Sequence, residues 1–181
     1  MSENKPLPDR RSIRLKHYDY SLPGFYFITI CIKDRKCEFG EIIDGEMHLN
    51  TGGQIAQTIW ERLPQHFFAV ELDAFVIMPN HIHGILELTN LPEEPFSRSL
   101  IPVRSQEHMR EVKKKTGPKL GKIVRHFKSA VTYKLHKVGN IDFEWQRNYY
   151  ESIIRNAQAL ANIRYYIANN PASWAQDSLS S

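Results

Sequence analysis

Cysteine is scarce in this sequence, which has only Cys31 and Cys37 among its 181 residues. Two thiols at this spacing form neither a disulfide framework nor a Cys-x-x-Cys metal or redox motif. We interpret both as free thiols, as is typical of proteins from a reducing compartment, and expect a cytoplasmic protein.

Long hydrophobic runs are also missing. No apolar stretch approaches the roughly 20 residues that a membrane-spanning helix needs, so we expect no membrane partner. Residues 1–14 are polar and basic and no apolar stretch follows them, so we expect no secretory signal. The aliphatic, aromatic and cysteine residues make up 41% of the chain, which is typical of a globular domain with a hydrophobic core.

Positive charge is concentrated in one segment, although the whole chain carries a net charge of only +4. Residues 104–137 contain eleven Lys or Arg against Glu107 and Glu111, a net charge of +9 that leaves −5 for the rest. A solvated helix face is one interpretation of such a run. Because this run is long and of one sign, a surface for a polyanion such as nucleic acid is an equally good one.

Hydrophobic patterning predicts an α+β fold. Aromatic and β-branched runs predict strands at 25–33, 70–77 and 81–88, and a further strand inside 145–154. Asp44-Gly45 predicts a hairpin between short strands near 38–43 and 46–49. Apolar residues recur at helical spacing over 54–63, 120–137 and 157–169. The order βαββαβα with an extra N-terminal β-hairpin indicates a ferredoxin-like antiparallel sheet with helices on one face.

Composition divides the chain into one domain with two flanking segments. We expect a basic N-terminal arm over 1–20, a single domain over 21–175 and a tail over 176–181. Within the domain, residues 91–118 contain four prolines and much charge, which predicts a mobile basic loop.

A pair of histidines lies on the predicted strand 81–88. His81 and His83 are two residues apart, so their side chains point to the same face, while Ile82 points into the core. Two imidazoles on one face can chelate a divalent cation, but two unrelated histidines would give the same pattern. A metal site here requires a third ligand from another element.

The last predicted helix carries two tyrosines. Helical phase places Leu160, Ile163 and Ile167 on the core side, with Tyr166 and Asn170 together on the flank of that stripe. Tyr165 points away from the core. A side chain that acts where the helix meets the sheet must flank the core, which favours Tyr166 as a nucleophile and Asn170 as a third ligand. The alternative is that both tyrosines are surface residues and Asn170 caps the helix.

Several separated motifs together resemble one known family. The segment 78–85 (MPNHIHGI) resembles the HUH motif, a His, a bulky hydrophobic residue and a His, of single-tyrosine transposases. The chain is similar in particular to the REP-associated tyrosine transposases, over residues ~10 to 172. The matching segments are 11–16 (RSIRLK), 18–20 (YDY), 25–27 (FYF), 145–151 (WQRNYYE), 154–155 (IR), 166–167 (YI) and 170–171 (NP).

The resemblance implies roles for individual residues. It makes 21–175 a catalytic domain with the HUH endonuclease fold, in which His81 and His83 bind Mg²⁺ or Mn²⁺ and Tyr166 is the nucleophile. Asn170 stands at the position of the third ligand, which is a glutamine in some relatives. The expected partner is single-stranded or hairpin DNA, bound by a monomer or a homodimer. The basic residues expected to hold phosphates are Arg11, Arg14, Lys16, Lys119, Lys122, Arg125, Lys128 and Arg147.

The function that the resemblance implies is cleavage and strand transfer on single-stranded DNA through a 5′-phosphotyrosine intermediate. Two alternatives remain open. One is a domesticated relative that binds hairpin DNA without cutting it. The other is a metal-dependent hydrolase of small phosphoesters, whose activity would not depend on Tyr166.

Overall fold

The computed structural model describes residues 18–90 and 118–180, and these residues form six strands and four α-helices. The strands are β1 (Gly24–Cys31), β2 (Gly40–Ile43), β3 (Glu46–Leu49), β4 (Val70–Ile77), β5 (His81–Leu88) and β6 (Tyr150–Ile154). The helices are α1 (Thr51–Glu61), α2 (Leu63–His66), α3 (Leu120–Lys137) and α4 (Ala157–Asn169), and short 3-10 segments occur at Lys33–Arg35 and Pro171–Gln176. None of the helices in these two ranges is long and apolar enough to cross a membrane.

The central sheet has the strand order β4-β5-β1-β6, and every neighbouring pair is antiparallel. The predicted α+β class and strand–helix order are confirmed. Strands β2 and β3 form a separate hairpin, as the sequence predicts. Asp44 and Gly45 at its turn have φ angles of 51° and 81°, the backbone that a two-residue hairpin turn of this type needs.

Helices α1 and α3 cover one face of the sheet. Alternate residues of β1, Tyr26, Ile28 and Ile30, are fully buried against Trp60 of α1 and Phe127 of α3. Gly84 of β5 permits this close packing, because a Cβ added there would lie 2.4 Å from a ring carbon of Trp60. The large hydrophobic core therefore lies between these helices and the sheet.

Helix α4 lies on the opposite face, so the expectation of helices on one face holds only for α1 and α3. Ile167 of α4 packs against Ile85 and Ile154 on that face. The physical reason is that nearly all of β5 is buried, which requires a cover on both sides of the strand. His81 and His83 alternate with Ile82 and therefore lie on the α4 side.

The element boundaries agree with the prediction or differ from it by a few residues. Pro64 follows the helix predicted over 54–63, but it does not end the helical region: it lies in the first turn of α2, where its missing N–H costs nothing. Strand β6 lies inside the predicted range 145–154, and it begins at Tyr150 because Asn148, with a φ of 70°, interrupts the extended chain. Nearly all of the predicted basic loop over 91–118 and of the predicted arm over 1–20 lies outside the described residues.

Candidate functional site

Two buried histidines form the centre of the candidate site. Strand β5 holds His81 and His83 on the α4 face, where their exposed fractions are 0% and 2%. Their Nε2 atoms lie 3.0 Å apart. Both rings therefore direct one nitrogen to the same small volume.

The other nitrogen of each ring has a defined partner. Nδ1 of His81 lies 2.7 Å from Oδ1 of Asn80. The amide nitrogen of Asn80 donates to the carbonyl oxygens of Arg35 and Leu179, which identifies its Oδ1 as the acceptor. Nδ1 of His81 must then carry the proton, and its Nε2 presents a lone pair. Nδ1 of His83 lies 2.8 Å from Oγ1 of Thr29 on β1.

Burial keeps both imidazoles neutral. It lowers the pKa of His81 to about 4, with a smaller contribution from the positive charge of Arg35. Burial and the neighbouring His81 lower the pKa of His83 to about 3. A neutral imidazole is the form that binds a metal, so both rings are prepared as ligands at neutral pH.

Asp177 supplies a carboxylate beside the histidines. Its side chain is 6% exposed, and its Oδ2 lies 3.7 Å from Nε2 of His81. Ligand atoms of His81, His83 and Asp177 all lie within 4.8 Å of one another. This residue falls in the segment predicted as a tail, and no local motif marks it. The one signal is that Asp177 is the last acidic residue of the chain and the only one after Glu151.

Two buried oxygen atoms at the site have no hydrogen-bond donor. They are Oδ2 of Asp177 and Oδ1 of Asn170. An unpaired buried oxygen is costly, and a bound cation is a group that would compensate both. Imidazole nitrogens at adjacent octahedral positions about 2.1 Å from an ion lie about 3 Å apart, so the spacing of the histidines also suits such an ion. The donor set therefore fits a divalent metal.

Tyr166 reaches the histidines from α4. Its phenol oxygen lies 3.0 Å from Nε2 of His83, and its ring packs edge-on against that imidazole with centroids 5.1 Å apart. Tyr165, by contrast, is 72% exposed. Burial and the Asp177 carboxylate raise the pKa of the Tyr166 phenol, while a hydrogen bond from Asn170 opposes the rise. A cation beside the phenol would favour its ionised form.

An ion pair connects α4 to the sheet. Nε of Arg164 donates to Oδ1 of Asp73 at 2.8 Å, and Nη2 donates to the second oxygen. Asp73 lies at an irregularity in the pairing of β4 with β5. The guanidinium holds the pKa of the Asp73 carboxyl below its usual range. This contact sets the position of the helix two residues before Tyr166.

Comparison with known proteins identifies the fold. The chain superposes on a solved REP-associated tyrosine transposase bound to a REP hairpin with a TM-score of 0.54 and 20% identity, over 88% of this chain and 74% of that one. The fold is that of a REP-associated tyrosine transposase. A solved protein from Deinococcus radiodurans, described as a candidate transposase, has a TM-score of 0.42 and 16% identity over 86% of this chain and 97% of its own.

Sequence comparison gives a nearer relative. An uncharacterised protein from Haemophilus influenzae is 46% identical over 176 residues, which cover 97% of this chain and 96% of the relative. The chain belongs to the same family as that protein. No family model matches the sequence.

The fold places three of the predicted DNA contacts away from the candidate site. Lys119, Lys122 and Arg125 are exposed at or near the start of α3, on the face of the sheet opposite the histidines. Arg147 is exposed beside a groove formed by Lys33–Arg35, α3 and residues 143–147. Lys128 is half-buried, and its ammonium donates to the carbonyl oxygens of Gln146 and Asn148 at 2.7 and 3.0 Å. The structure therefore gives Lys128 an internal contact. Arg11, Arg14 and Lys16 lie outside the described residues.

Proposed function

We propose that this protein is a metal-dependent endonuclease and strand transferase that cuts hairpin-bearing single-stranded DNA with Tyr166. The observation that carries the proposal is the 3.0 Å contact between the Tyr166 phenol and Nε2 of His83, beside the carboxylate of Asp177. A simple phosphoester hydrolase would use water and would not need a tyrosine at its metal ligands. Transfer to the phenol explains why the tyrosine is there.

His81, His83 and Asp177 would hold Mg²⁺ or Mn²⁺, with Asn170 beside them as a further oxygen donor. Such an ion supplies charge stabilisation for the phosphate and for the leaving oxygen. Three or four protein ligands leave coordination positions for the substrate. Asn80 and Thr29 fix the orientation of the two imidazoles through their Nδ1 atoms.

The proposed reaction is a reversible exchange at phosphorus. The oxygen of Tyr166 forms a bond to the phosphorus, the bond from phosphorus to the 3′ oxygen breaks, and the proton of the phenol ends on that 3′ oxygen. The products are a 5′-phosphotyrosyl link and a free 3′-OH. Attack by a second 3′-OH on the link reverses the step, joins new DNA ends and restores the phenol.

Two further observations support DNA as the substrate. Residues 104–137 carry the net charge of +9, which suits contacts to phosphates. The solved structure with the same fold holds a REP hairpin. Because Tyr166 reaches the histidines of its own chain, we propose that a monomer contains a complete site.

A covalent adduct tests the proposal. Hairpin-bearing single-stranded DNA labelled at its 3′ end is incubated with the protein and Mn²⁺ or Mg²⁺ and run on a denaturing gel. We expect a labelled protein–DNA band that EDTA and Tyr166→Phe abolish and that Tyr165→Phe, the matched control, retains. An adduct that survives Tyr166→Phe and vanishes in Tyr165→Phe would refute the assignment. Tight, salt-sensitive binding without any adduct would instead identify a binding protein that does not cut.

A further inference from the structure

The turn at 145–148 is held by contacts with α3. Lys128 on α3 donates from its ammonium to the carbonyl oxygens of Gln146 and Asn148. The indole nitrogen of Trp145 donates to the carbonyl oxygen of Lys128 at 3.0 Å, and its ring packs among Phe39, Phe127 and Phe143. A half-buried lysine that donates to two carbonyl oxygens holds the backbone of this turn in place. The directions of the side chains on the turn are fixed as a result.

Two polar side chains on this turn have no polar partner in the described part of the protein. Arg147 is exposed and Gln146 is partly buried, and neither side chain forms a hydrogen bond or ion pair with any residue in 18–90 or 118–180. Both line an open groove of about 770 Å³, which is also lined by the Lys33–Arg35 segment and by Thr132 and His136 of α3. A rigid turn therefore presents an amide and a guanidinium to an open groove.

The groove adjoins the histidine site through the backbone. The amide nitrogen of Gln146 donates to the carbonyl oxygen of Cys31 at 2.9 Å, and Cys31 pairs with His81 across the sheet. In the Lys33–Arg35 segment, the carbonyl oxygen of Arg35 accepts from Asn80, the residue that orients His81. A strand of DNA whose phosphate lies at the histidines would therefore have its neighbouring nucleotides close to this groove.

The wall at Lys33–Arg35 has an uncommon backbone. Asp34 and Arg35 have φ angles of 54° and 52°, two successive left-handed residues that are not glycine. Such a conformation is costly and persists where the surrounding contacts hold it, often beside a functional site. Here an ion pair between Lys33 and Glu144 and a contact from Arg35 to the carbonyl oxygen of Ser178 hold it.

We propose that this groove binds the single-stranded DNA next to the cut and that Gln146 and Arg147 read its bases. The inference rests on the proposed function and adds the residues that determine which DNA sequence is cut. A glutamine amide matches the edge of adenine and an arginine fork matches the edge of guanine, and both edges are free in a single strand. Lys128 is a positioning residue, since it acts through the turn that carries the two readers.

A binding selection that does not depend on cutting tests this inference. Tyr166→Phe protein is mixed with hairpin DNA whose single-stranded flank is randomised, and the bound molecules are sequenced. We expect enrichment of purines at one or two adjacent flank positions. Adding Gln146→Ala or Arg147→Ala should reduce the preference at one position by about 5- to 150-fold, the range for one bidentate base contact. Arg62→Ala, an exposed arginine outside the groove, is the matched control and should leave the preference unchanged.

The outcomes separate the inference from the proposed function. A wild-type adduct together with no flank preference, or a preference that Gln146→Ala and Arg147→Ala both leave intact, overturns the inference and leaves the function standing. A flank preference without any adduct supports the groove and refutes the function. Lys128→Met should weaken the preference at both positions together, and Lys128→Arg, which keeps two donors, should restore part of it. Equal preference in all Lys128 variants would show that the lysine does not position the turn.

Discussion

The phenol oxygen of Tyr166 and Nε2 of His83 lie 3.0 Å apart, and the same Nε2 lies 3.0 Å from Nε2 of His81. The proposed nucleophile and the proposed ligand atoms therefore share one small volume within a single chain. Tyr166 comes from α4, the two histidines come from β5, and these three side chains meet on the face of the sheet that α4 covers. The contribution of each neighbouring group to metal binding or to the reaction can therefore be measured by a single substitution.

Asp177 should contribute more to metal binding than Asn170. A carboxylate attracts a divalent cation by its charge as well as by its lone pairs, whereas an amide has lone pairs only. We expect Asp177→Asn to weaken Mn²⁺ binding at least tenfold and Asn170→Ala to weaken it less, as measured by titration calorimetry. Asp142→Asn, which removes an exposed carboxylate, is the control. A larger loss in Asn170→Ala would make Asn170 the third ligand and Asp177 a neighbour.

The hydrogen bonds to the Nδ1 atoms should also affect the metal. Asn80→Ala removes the acceptor of His81, and Thr29→Val removes the hydroxyl beside His83 while keeping the side-chain shape. Groups that orient a metal-binding histidine typically contribute 10- to 100-fold to affinity. We expect a loss in this range for each variant, with the fold unchanged by circular dichroism. Unchanged Mn²⁺ affinity in both would show that packing alone orients the rings.

The fold was predictable because its elements have strong local signals. The two strands flanking Met78-Pro79-Asn80 and the helices α3 and α4 begin and end at the predicted residues, since apolar periodicity and proline mark them. The side of the sheet that α4 covers was not predictable in this way. It depends on which face of β5 remains to be covered after α1 and α3 have packed, and sequence spacing does not contain that information.

The site was predictable only in part for a related reason. Helical phase distinguishes Tyr166 from Tyr165, because the core stripe of α4 is clear. Asp177 lies in no helix or strand with an apolar periodicity, because it directly follows a 3-10 segment. The way the chain turns after α4 brings it to the site, and sequence spacing does not predict that turn. Lys128 shows the opposite case. Its position in a basic run predicts a phosphate contact, but the turn at 145–148 brings two carbonyl oxygens to it.

The ion pair between Arg164 and Asp73 should affect activity more than stability. It is half-exposed on the Arg164 side, so removing it should change the free energy of unfolding only slightly. It also sets the position of α4, and a small displacement of a reacting group can lower a rate severely. We expect Arg164→Met and Asp73→Asn to slow adduct formation at least tenfold.

A double-mutant cycle checks the cause of that slowing. If the pair acts as a unit, the Arg164→Met, Asp73→Asn double variant should be no slower than either single variant. Arg164→Lys, which keeps the charge but not the two-pronged geometry, should fall between wild type and Arg164→Met. Arg155→Met, an exposed arginine just before α4, serves as the control. Additive losses would show that the two residues act independently.

The metal-free protein should lose stability as the pH falls from about 6.5 to about 4. Burial lowers the pKa of His81 from 6.5 to about 4 and that of His83 to about 3, so the unfolded chain binds protons in this window that the folded chain does not. The free energy of unfolding is therefore highest above pH 6.5 and decreases as the pH falls through this window, by about 3 kcal/mol for His81 alone. Urea unfolding in EDTA at pH 7.5, 5.5 and 4.5 measures the slope. His81→Gln should flatten it and His48→Gln, an exposed histidine, should not. Equal slopes in all three proteins would mean that the buried histidines take up protons as readily as exposed ones.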